Sequence, residues 1–321
     1  MPEFVLTLEN VVKRFGGFSA VDGLSFNVAP GEIFGFLGPN GAGKTTTLRM
    51  ILDIIRPSSG RIEVLGSPSA IPVRRRIGYL PEERGLYRKM RAAETIAYFA
   101  RLRGLPGKEA KARAFALLDE FGLGDFARAR NEALSKGMAQ KVQLLATIVH
   151  DPELLILDEP FSGLDPINQH TLEELIRDLK RRGRTIIFST HVMQHAERLC
   201  DRFLIIAKGK SRFEGDIAEA RAAFPPRLIL RTRDGVEKLG AAPGVRRISD
   251  LGEVADNERD YEIVLAPGAD PQAVLKAAFE AGLSLSRFEH AGASLHDIFV
   301  ALAGEGSVPA DAESPAAEEA A

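Results

Sequence analysis

The sequence predicts an α/β fold built around a mainly parallel sheet, and three observations carry that reading. Short apolar runs at residues 32–37, 154–157 and 185–189 alternate with stretches of helical spacing. Strands apolar on both faces belong in a sheet covered on both sides. A glycine-rich loop joins the first of these runs directly to a helical stretch. Residues 4–37 read as further strands: Phe4, Leu6 and Leu8 alternate with Val5, Thr7 and Glu9, and residues 24–28 alternate again before the turn at Pro30-Gly31. An antiparallel β portion and a helical insert are therefore expected beside the parallel core.

The glycine loop is Gly38-Pro39-Asn40-Gly41-Ala42-Gly43-Lys44-Thr45, which fits G-x-x-x-x-G-K-[ST]. A buried strand at 32–37 precedes it, and residues 46–55 follow with helical spacing (Leu48, Ile51, Leu52, Ile55). Strand, glycine loop and helix together distinguish a phosphate-binding P-loop from a chance string. Glycines let the backbone curl so that successive N–H groups point inward, and the helix N-terminus adds positive partial charge there. Lys44 then reaches the β- and γ-phosphates, and the Thr45 hydroxyl is placed to bind Mg²⁺. The predicted fold class is thus a P-loop NTPase.

The chain has 321 residues, enough for two domains with proper cores. A formal net charge of −2 does not fit the basic footprint of a nucleic-acid binder, so no nucleic-acid partner is expected. Cys200 is the only cysteine, which excludes an internal disulfide and suits a reducing compartment. Its side chain is expected to act as a small buried hydrophobe. No apolar run approaches the roughly 20 residues that span a bilayer. The start, Met1-Pro2-Glu3-Phe4, lacks the basic and apolar regions of a secretion signal. A cytoplasmic location is expected, with any membrane crossing left to another polypeptide.

Helices are expected over 93–103, 108–121 and 140–149, within a helical insert of about 85–150, and again over 168–182. Strands follow at 202–207 and 210–214. Near residue 220 the character changes. Short strands at 228–230, 245–248, 261–265 and 283–288, with helical stretches near 235–240, 271–281 and 294–303, suggest a β-α-β-β-α-β order and a small ferredoxin-like domain. The expected division is a nucleotide-binding domain over 1–218, an α+β accessory domain over 219–304 and a disordered acidic tail over 305–321.

Further motifs narrow the chemistry. Leu154-Leu155-Ile156-Leu157-Asp158-Glu159 is an apolar strand ending in two carboxylates. Asp158 is delivered toward the Mg²⁺ beside the P-loop, and Glu159, pointing differently, can polarise an attacking water. Taken alone, the pair also fits an ordinary acidic turn at a strand end. Leu134-Ser135-Lys136-Gly137-Met138 heads a helix, with Ser135 as N-cap and Gly137 permitting close approach. By itself a capped helix produces the same string.

In this order the motifs resemble those of the ATP-binding cassette (ABC) ATPases across about residues 4–215. Gly38 to Thr45, with the adjoining Thr46, resembles their Walker A motif; Leu154 to Glu159 resembles Walker B; and Ser135, Lys136, Gly137 and Met138 resemble the signature. Ser162-Gly163-Leu164-Asp165 looks like the D-loop, His191 the switch histidine, and Phe15 the aromatic that stacks on adenine. The resemblance implies an ATPase in which two cassettes pair head to tail, with ATP held between the Walker A of one and the signature of the other. It implies Glu159 as general base, His191 as a γ-phosphate contact, ATP as substrate and Mg²⁺ held by Thr45 and Asp158.

Two departures mark a branch. Glu82, in the loop Gly78-Tyr79-Leu80-Pro81-Glu82-Glu83-Arg84-Gly85-Leu86-Tyr87, stands where most cassettes have glutamine; a carboxylate is still a hard oxygen ligand for Mg²⁺. Lys136-Gly137-Met138 replaces the commoner glycine-glycine-glutamine. Both features, and the C-terminal Ser294-Leu295-His296-Asp297-Ile298-Phe299, resemble bacterial exporter ATPases that include sodium-efflux cassettes. The expected role is the energy-supplying subunit of an exporter, peripheral on the cytoplasmic face of the cell membrane and docked on a separate permease. The alternatives are a soluble cassette ATPase acting on nucleic acid or the ribosome, and a nucleotide-binding regulator without turnover.

Overall fold

The computed structural model describes residues 3–83, 85–255 and 257–303, and the chain divides into two units, Met1–Asp216 and Ile217–Ala321. In the first, strands β1 (Leu6–Phe15), β2 (Phe18–Val28), β3 (Ile33–Leu37), β4 (Ser59–Val64), β5 (Ile77–Leu80), β6 (Leu154–Asp158), β7 (Thr185–Thr190), β8 (Arg202–Ala207) and β9 (Lys210–Gly215) form two sheets. The larger has the order β5-β6-β7-β3-β8-β9 and is parallel except for the β8–β9 hairpin. The smaller, β2-β1-β4, is antiparallel. This is the α/β P-loop architecture the sequence predicts.

The central strands are apolar on both faces because each face meets its own core. Leu155 and Leu157 of β6, with Ile186 and Phe188 of β7, pack into one cluster. Leu154 and Ile156 of β6, with Ile187 of β7, pack into the other. That is the period-two alternation of a strand, and full burial of each such side chain contributes about 1.5–3 kcal/mol. On the first face lie helices α3 (Ala92–Leu102), α4 (Gly107–Glu120) and α5 (Lys136–Ile148). On the second lie α1 (Lys44–Ile51), the one-turn α2 (Ala70–Val73) and the antiparallel sheet. Helices α6 (Pro166–Arg181) and α7 (Met193–Leu199) flank β7 in sequence.

Register decides where chemistry can occur. Leu37 pairs with Thr190, and Asp158 with Ser189, so β3, β6 and β7 end level with one another. The residues that follow these ends gather at the carboxyl edge of the sheet, where α/β proteins bind ligands.

Several boundaries differ from the sequence reading. The helix expected over 46–55 runs over Lys44–Ile51, because Asp53 turns left-handed (φ 55) and ends it. Gly78, Tyr79 and Leu80, read as the start of a loop, belong to β5, which pairs with β6. Strand β4 and the short helices α2 and α7 were not expected; none is long enough to build a periodic signal.

The second unit opens with α8 (Ile217–Ala222). Strands β10 (Arg227–Thr232), β11 (Val245–Ala255), β12 (Glu258–Leu265) and β13 (Leu285–Ala291) then form an antiparallel sheet of order β11-β12-β10-β13. The helical stretch expected near 235–240 is a 3₁₀ segment, Glu237–Ala241, while α9 (Pro271–Glu280) and α10 (Leu295–Ala303) are α-helical. Leu228, Leu230, Ile263 and Leu265 face Leu239, Val274 and Ala278 in a single core. The acidic tail expected over 305–321 lies outside the described residues.

Candidate functional site

The loop from Gly38 to Gly43 leaves β3 and enters α1 without a side-chain cap, Gly43 itself being left-handed (φ 107). By contrast, Ser135 caps α5 by accepting from the Met138 N–H, and Asp165 caps α6 by accepting from the Asn168 N–H. An uncapped helix N-terminus with no acidic residue in its first turn leaves its N–H groups for an anion. Close packing explains the glycines. A Cβ on Gly38 would sit 2.5 Å from the Ile206 carbonyl oxygen, and one on Gly43 would sit 2.5 Å from that of Ala20. Pro39, Asn40 and Gly41 are exposed, Ala42 and Gly43 are buried, and Thr45 and Thr46 are half-buried.

Lys44 is buried, donating to the Gly38 carbonyl at 2.6 Å and the Pro39 carbonyl at 3.3 Å. Its ammonium also lies 3.5 Å from Glu159 Oε1. The Thr45 hydroxyl donates to Asp158 Oδ1 at 3.4 Å, and the Ser189 hydroxyl donates to the same oxygen at 2.5 Å. Asp158 Oδ2 is buried with no hydrogen-bond partner. An ionised carboxylate oxygen left so is costly, and one beside a threonine hydroxyl is the hard oxygen set that suits Mg²⁺. Among the described residues no group of three or more His, Cys, Asp or Glu is placed to hold a metal alone. The few protein ligands at this position fit a magnesium ion that arrives with phosphate oxygens.

Glu159 follows β6 with φ 47, a left-handed conformation rare outside glycine. Its N–H donates to the Ser189 hydroxyl at 3.1 Å and to the Ser189 carbonyl at 3.2 Å. These bonds hold the strained turn in place and swing the Glu159 side chain away from that of Asp158. His191 Nδ1 lies 3.0 Å from both Glu159 carboxylate oxygens, and since a carboxylate only accepts, that nitrogen carries the proton. Strain of this kind clusters at working sites.

Glu82 is exposed just past β5. Burial pushes the pKa of the Tyr79 hydroxyl up, and the charges of Asp158 and Glu82 add to that, so both carboxylates act on one phenol. Phe15 ends β1 half-exposed, with the Lys13 ammonium 5.0 Å from its ring centroid. Ser135 and Lys136 are exposed, Met138 is half-buried, and Gly137 is buried beneath the Asn168 amide of the same chain, which lies 2.6 Å from where a Cβ would stand. Asn168 in turn donates to Asp165 at 2.6 Å, and its backbone and side-chain bonds hold the Asp165 carboxyl below the usual aspartate range. The signature loop and the Asp165 turn thus touch within one chain. Ser189 is the functional side chain the sequence reading passed over; its signal is a hydroxyl just after the apolar run of β7, one residue before the strand's last residue, Thr190.

A model of the ABC transporter family matches residues 21–162, and a model of the C-terminal domain of DrrA1-3-like ATP-binding proteins matches residues 215–303. An uncharacterized ABC transporter ATP-binding protein of Bacillus subtilis (strain 168), YhaQ, is 39% identical over 306 residues, covering 94% of this chain and 99% of its own. The chain belongs to the ABC transporter ATP-binding proteins. The Nod factor export ATP-binding protein I of Paraburkholderia xenovorans (strain LB400) is 38% identical over 310 residues, covering 95% of this chain and 98% of its own. A solved structure of the ATP-binding subunit of an ABC transporter is 33% identical with a TM-score of 0.62, covering 68% of this chain and 92% of that one. As an ABC ATPase cassette the chain binds ATP and couples its hydrolysis to transport within a complex that includes a membrane permease. The family expected from the motifs is the family found, and the DrrA-like match places the chain in the branch suggested by its C-terminal segment.

Proposed function

We propose that the chain is the motor of an exporter: two cassettes pair head to tail, close on two Mg²⁺-bound ATP molecules and drive a separate permease. The observation that carries this is the convergence of Lys44, Thr45, Asp158, Glu159 and His191 at the uncapped start of α1. The export direction draws on the Nod factor export relative, similar over nearly the whole of both chains. No helix among the described residues is long and apolar enough to cross a membrane, so we assign the crossing to the permease and a peripheral, cytoplasmic-face position to this chain. The relatives are named as transporter proteins, and the nucleic-acid reading draws no support from them.

The residues divide the work. The loop N–H groups and Lys44 take the phosphates. The Lys44 ammonium is shared between loop carbonyls and the Glu159 carboxylate. Phosphate oxygens that draw the ammonium away leave Glu159 free to accept a proton from the attacking water. His191 keeps that carboxylate aimed. Thr45 and Asp158 are the residues to hold Mg²⁺, with Glu82 as a further oxygen ligand; the ion, when bound, neutralises charge developing on the phosphates. Ser135, Lys136, Gly137 and Met138 serve the nucleotide of the second cassette, Asp165 lies at the seam, and Phe15 offers its exposed ring to adenine. Groups supplied in trans make hydrolysis conditional on assembly. The unit after Asp216 we read as a ferredoxin-like accessory domain, on its strand order and the DrrA-like match.

Glu159→Gln tests the assignment. Turnover is expected to fall by about 10²–10⁴-fold, the usual loss for a general base, while ATP still binds. Steady-state ATPase and nucleotide-binding titrations on the purified chain read this, and a near-parental rate removes Glu159 from the role.

A further inference from the structure

A second histidine stands behind the first. His195, in α7 one helical turn past His191, is 4% exposed, and its Nδ1 lies 2.9 Å from Glu173 Oε1. Glu173, in α6, is 2% exposed and cannot be an idle surface charge. Its other neighbours are Arg177, at 3.5 Å from Oε2, and Arg198, at 3.6 Å from Oε1. Because Glu173 only accepts, Nδ1 carries the proton, and that bond fixes the plane of the imidazole.

The fixed plane matters because of what lies on it. The Phe161 ring stacks on His195 with centroids 4.0 Å apart and planes 14° from parallel. Phe161 is itself buried and meets Phe188 of β7 edge-on at 5.9 Å. It lies two residues past Glu159, and the intervening Pro160 carbonyl accepts from the Gln140 amide at 3.1 Å. The strained Glu159 turn is therefore held on its entry side by Ser189 and on its exit side by Phe161. Helix α7 and the bend before it bring His191 to the Glu159 carboxylate and His195 to the Phe161 ring.

We propose that Glu173 and His195 are positioning residues for hydrolysis: the pair orients the imidazole, the imidazole clamps Phe161, and the clamp holds Glu159 where it accepts the water proton. Neither residue touches nucleotide in this account. It rests on Glu159 being the general base. A left-handed glutamate is a high-energy conformation that persists only when its surroundings over-determine it, and small misplacement of a reacting group is costly in rate. The clamp acts on kcat and not on ATP binding, since none of its members belongs to the P-loop.

Two variants separate the ring from the hydrogen bond. His195→Asn keeps a donor near the Nδ1 position for Glu173 but removes the stacked ring; His195→Phe keeps a ring on Phe161 but removes the donor. Steady-state ATPase on the full chain is normalised to bound nucleotide, and melting temperature is measured alongside. His195→Asn is expected to lose about tenfold in kcat, inside the 10²-fold that a displacement of about 1 Å brings, with KM for ATP unchanged. His195→Phe keeps a ring on Phe161 but loses the Glu173 bond that orients it, so it is expected to lose less in kcat than His195→Asn while melting lower, because Glu173 is left buried with a weaker set of partners. Parental kcat in His195→Asn, or kcat losses that simply follow melting temperature across the two variants, overturns the clamp. Glu159→Gln measured in parallel separates the readings: if it is inactive while His195→Asn turns over normally, only the clamp fails; if it is active, the base assignment fails.

Discussion

Lys44, Asp158 and Glu159 meet below the surface of the first unit, whereas Arg231, Asp260 and Arg287 form their ion pairs on the face of the second unit's sheet opposite its apolar core. Among the described residues, Thr232 is the one polar side chain of the second unit that is buried. The first unit buries Lys44, Asp158, Glu159, Glu173 and His195 as well as many neutral polar groups. Taking charge out of water costs several kcal/mol per ion unless geometry returns it, while surface pairs contribute about 0–1 kcal/mol. The second unit uses charge as a scaffold would. In the first unit buried charge, an unpartnered carboxylate oxygen and a left-handed glutamate coincide at one sheet edge, and that coincidence, not the number of charges, marks the place of work.

The contrast can be broken by experiment, and the Glu159→Gln turnover loss is the largest effect expected. Next is Gly43→Ala. The new methyl would lie 2.5 Å from the Ala20 carbonyl oxygen at φ 107, so strain and overlap add. A loss of about 2–4 kcal/mol is expected, read by urea denaturation together with weakened ATP binding. Unchanged stability would mean that the loop is not held as tightly as described.

A smaller effect comes from His150. Burial draws its pKa from 6.5 down to about 4, Arg103 adds to the lowering, and the bond to the Ile77 carbonyl and the charge of Asp151 oppose it. Between these values the unfolded chain binds the proton and the folded chain does not, so this contribution to stability is present above pH 6.5, declines as pH falls toward 4 and then levels off. His150→Gln, which keeps an amide donor for Ile77, is expected to flatten the pH dependence of the urea midpoint across that window. An unaltered slope would assign the dependence to other groups. The smallest effect is expected in the second unit, where Arg287→Ala removes pairs to Asp260 and Glu289 at a cost below about 1 kcal/mol. A loss as large as that of Gly43→Ala would erase the distinction between the two units.

Much of this was legible in the sequence, unevenly. The strands of the parallel core announce themselves because burial on both faces leaves unbroken apolar runs, and the P-loop because glycine is needed wherever backbone approaches within contact distance of Ile206 and Ala20. Asp158 and Glu159 are legible as a pair, but the φ that sends them apart is not, since it is imposed by Ser189 from another strand. Strand β4 was missed because its residues 59–61 are exposed and polar, and pairing with β1 rather than patterning makes it a strand. The Glu173–His195 pair was invisible for the same reason: it joins two helices, and neither residue lies in a motif. Pairings across elements are settled by packing, which spacing along the chain does not encode.

The proposed export cycle requires nucleotide-driven pairing of two cassettes. Light scattering of the Glu159→Gln chain with saturating ATP and Mg²⁺ tests it most directly. Two copies per particle, returning to one when nucleotide is withdrawn, is the predicted result; one copy per particle with ATP demonstrably bound would contradict it.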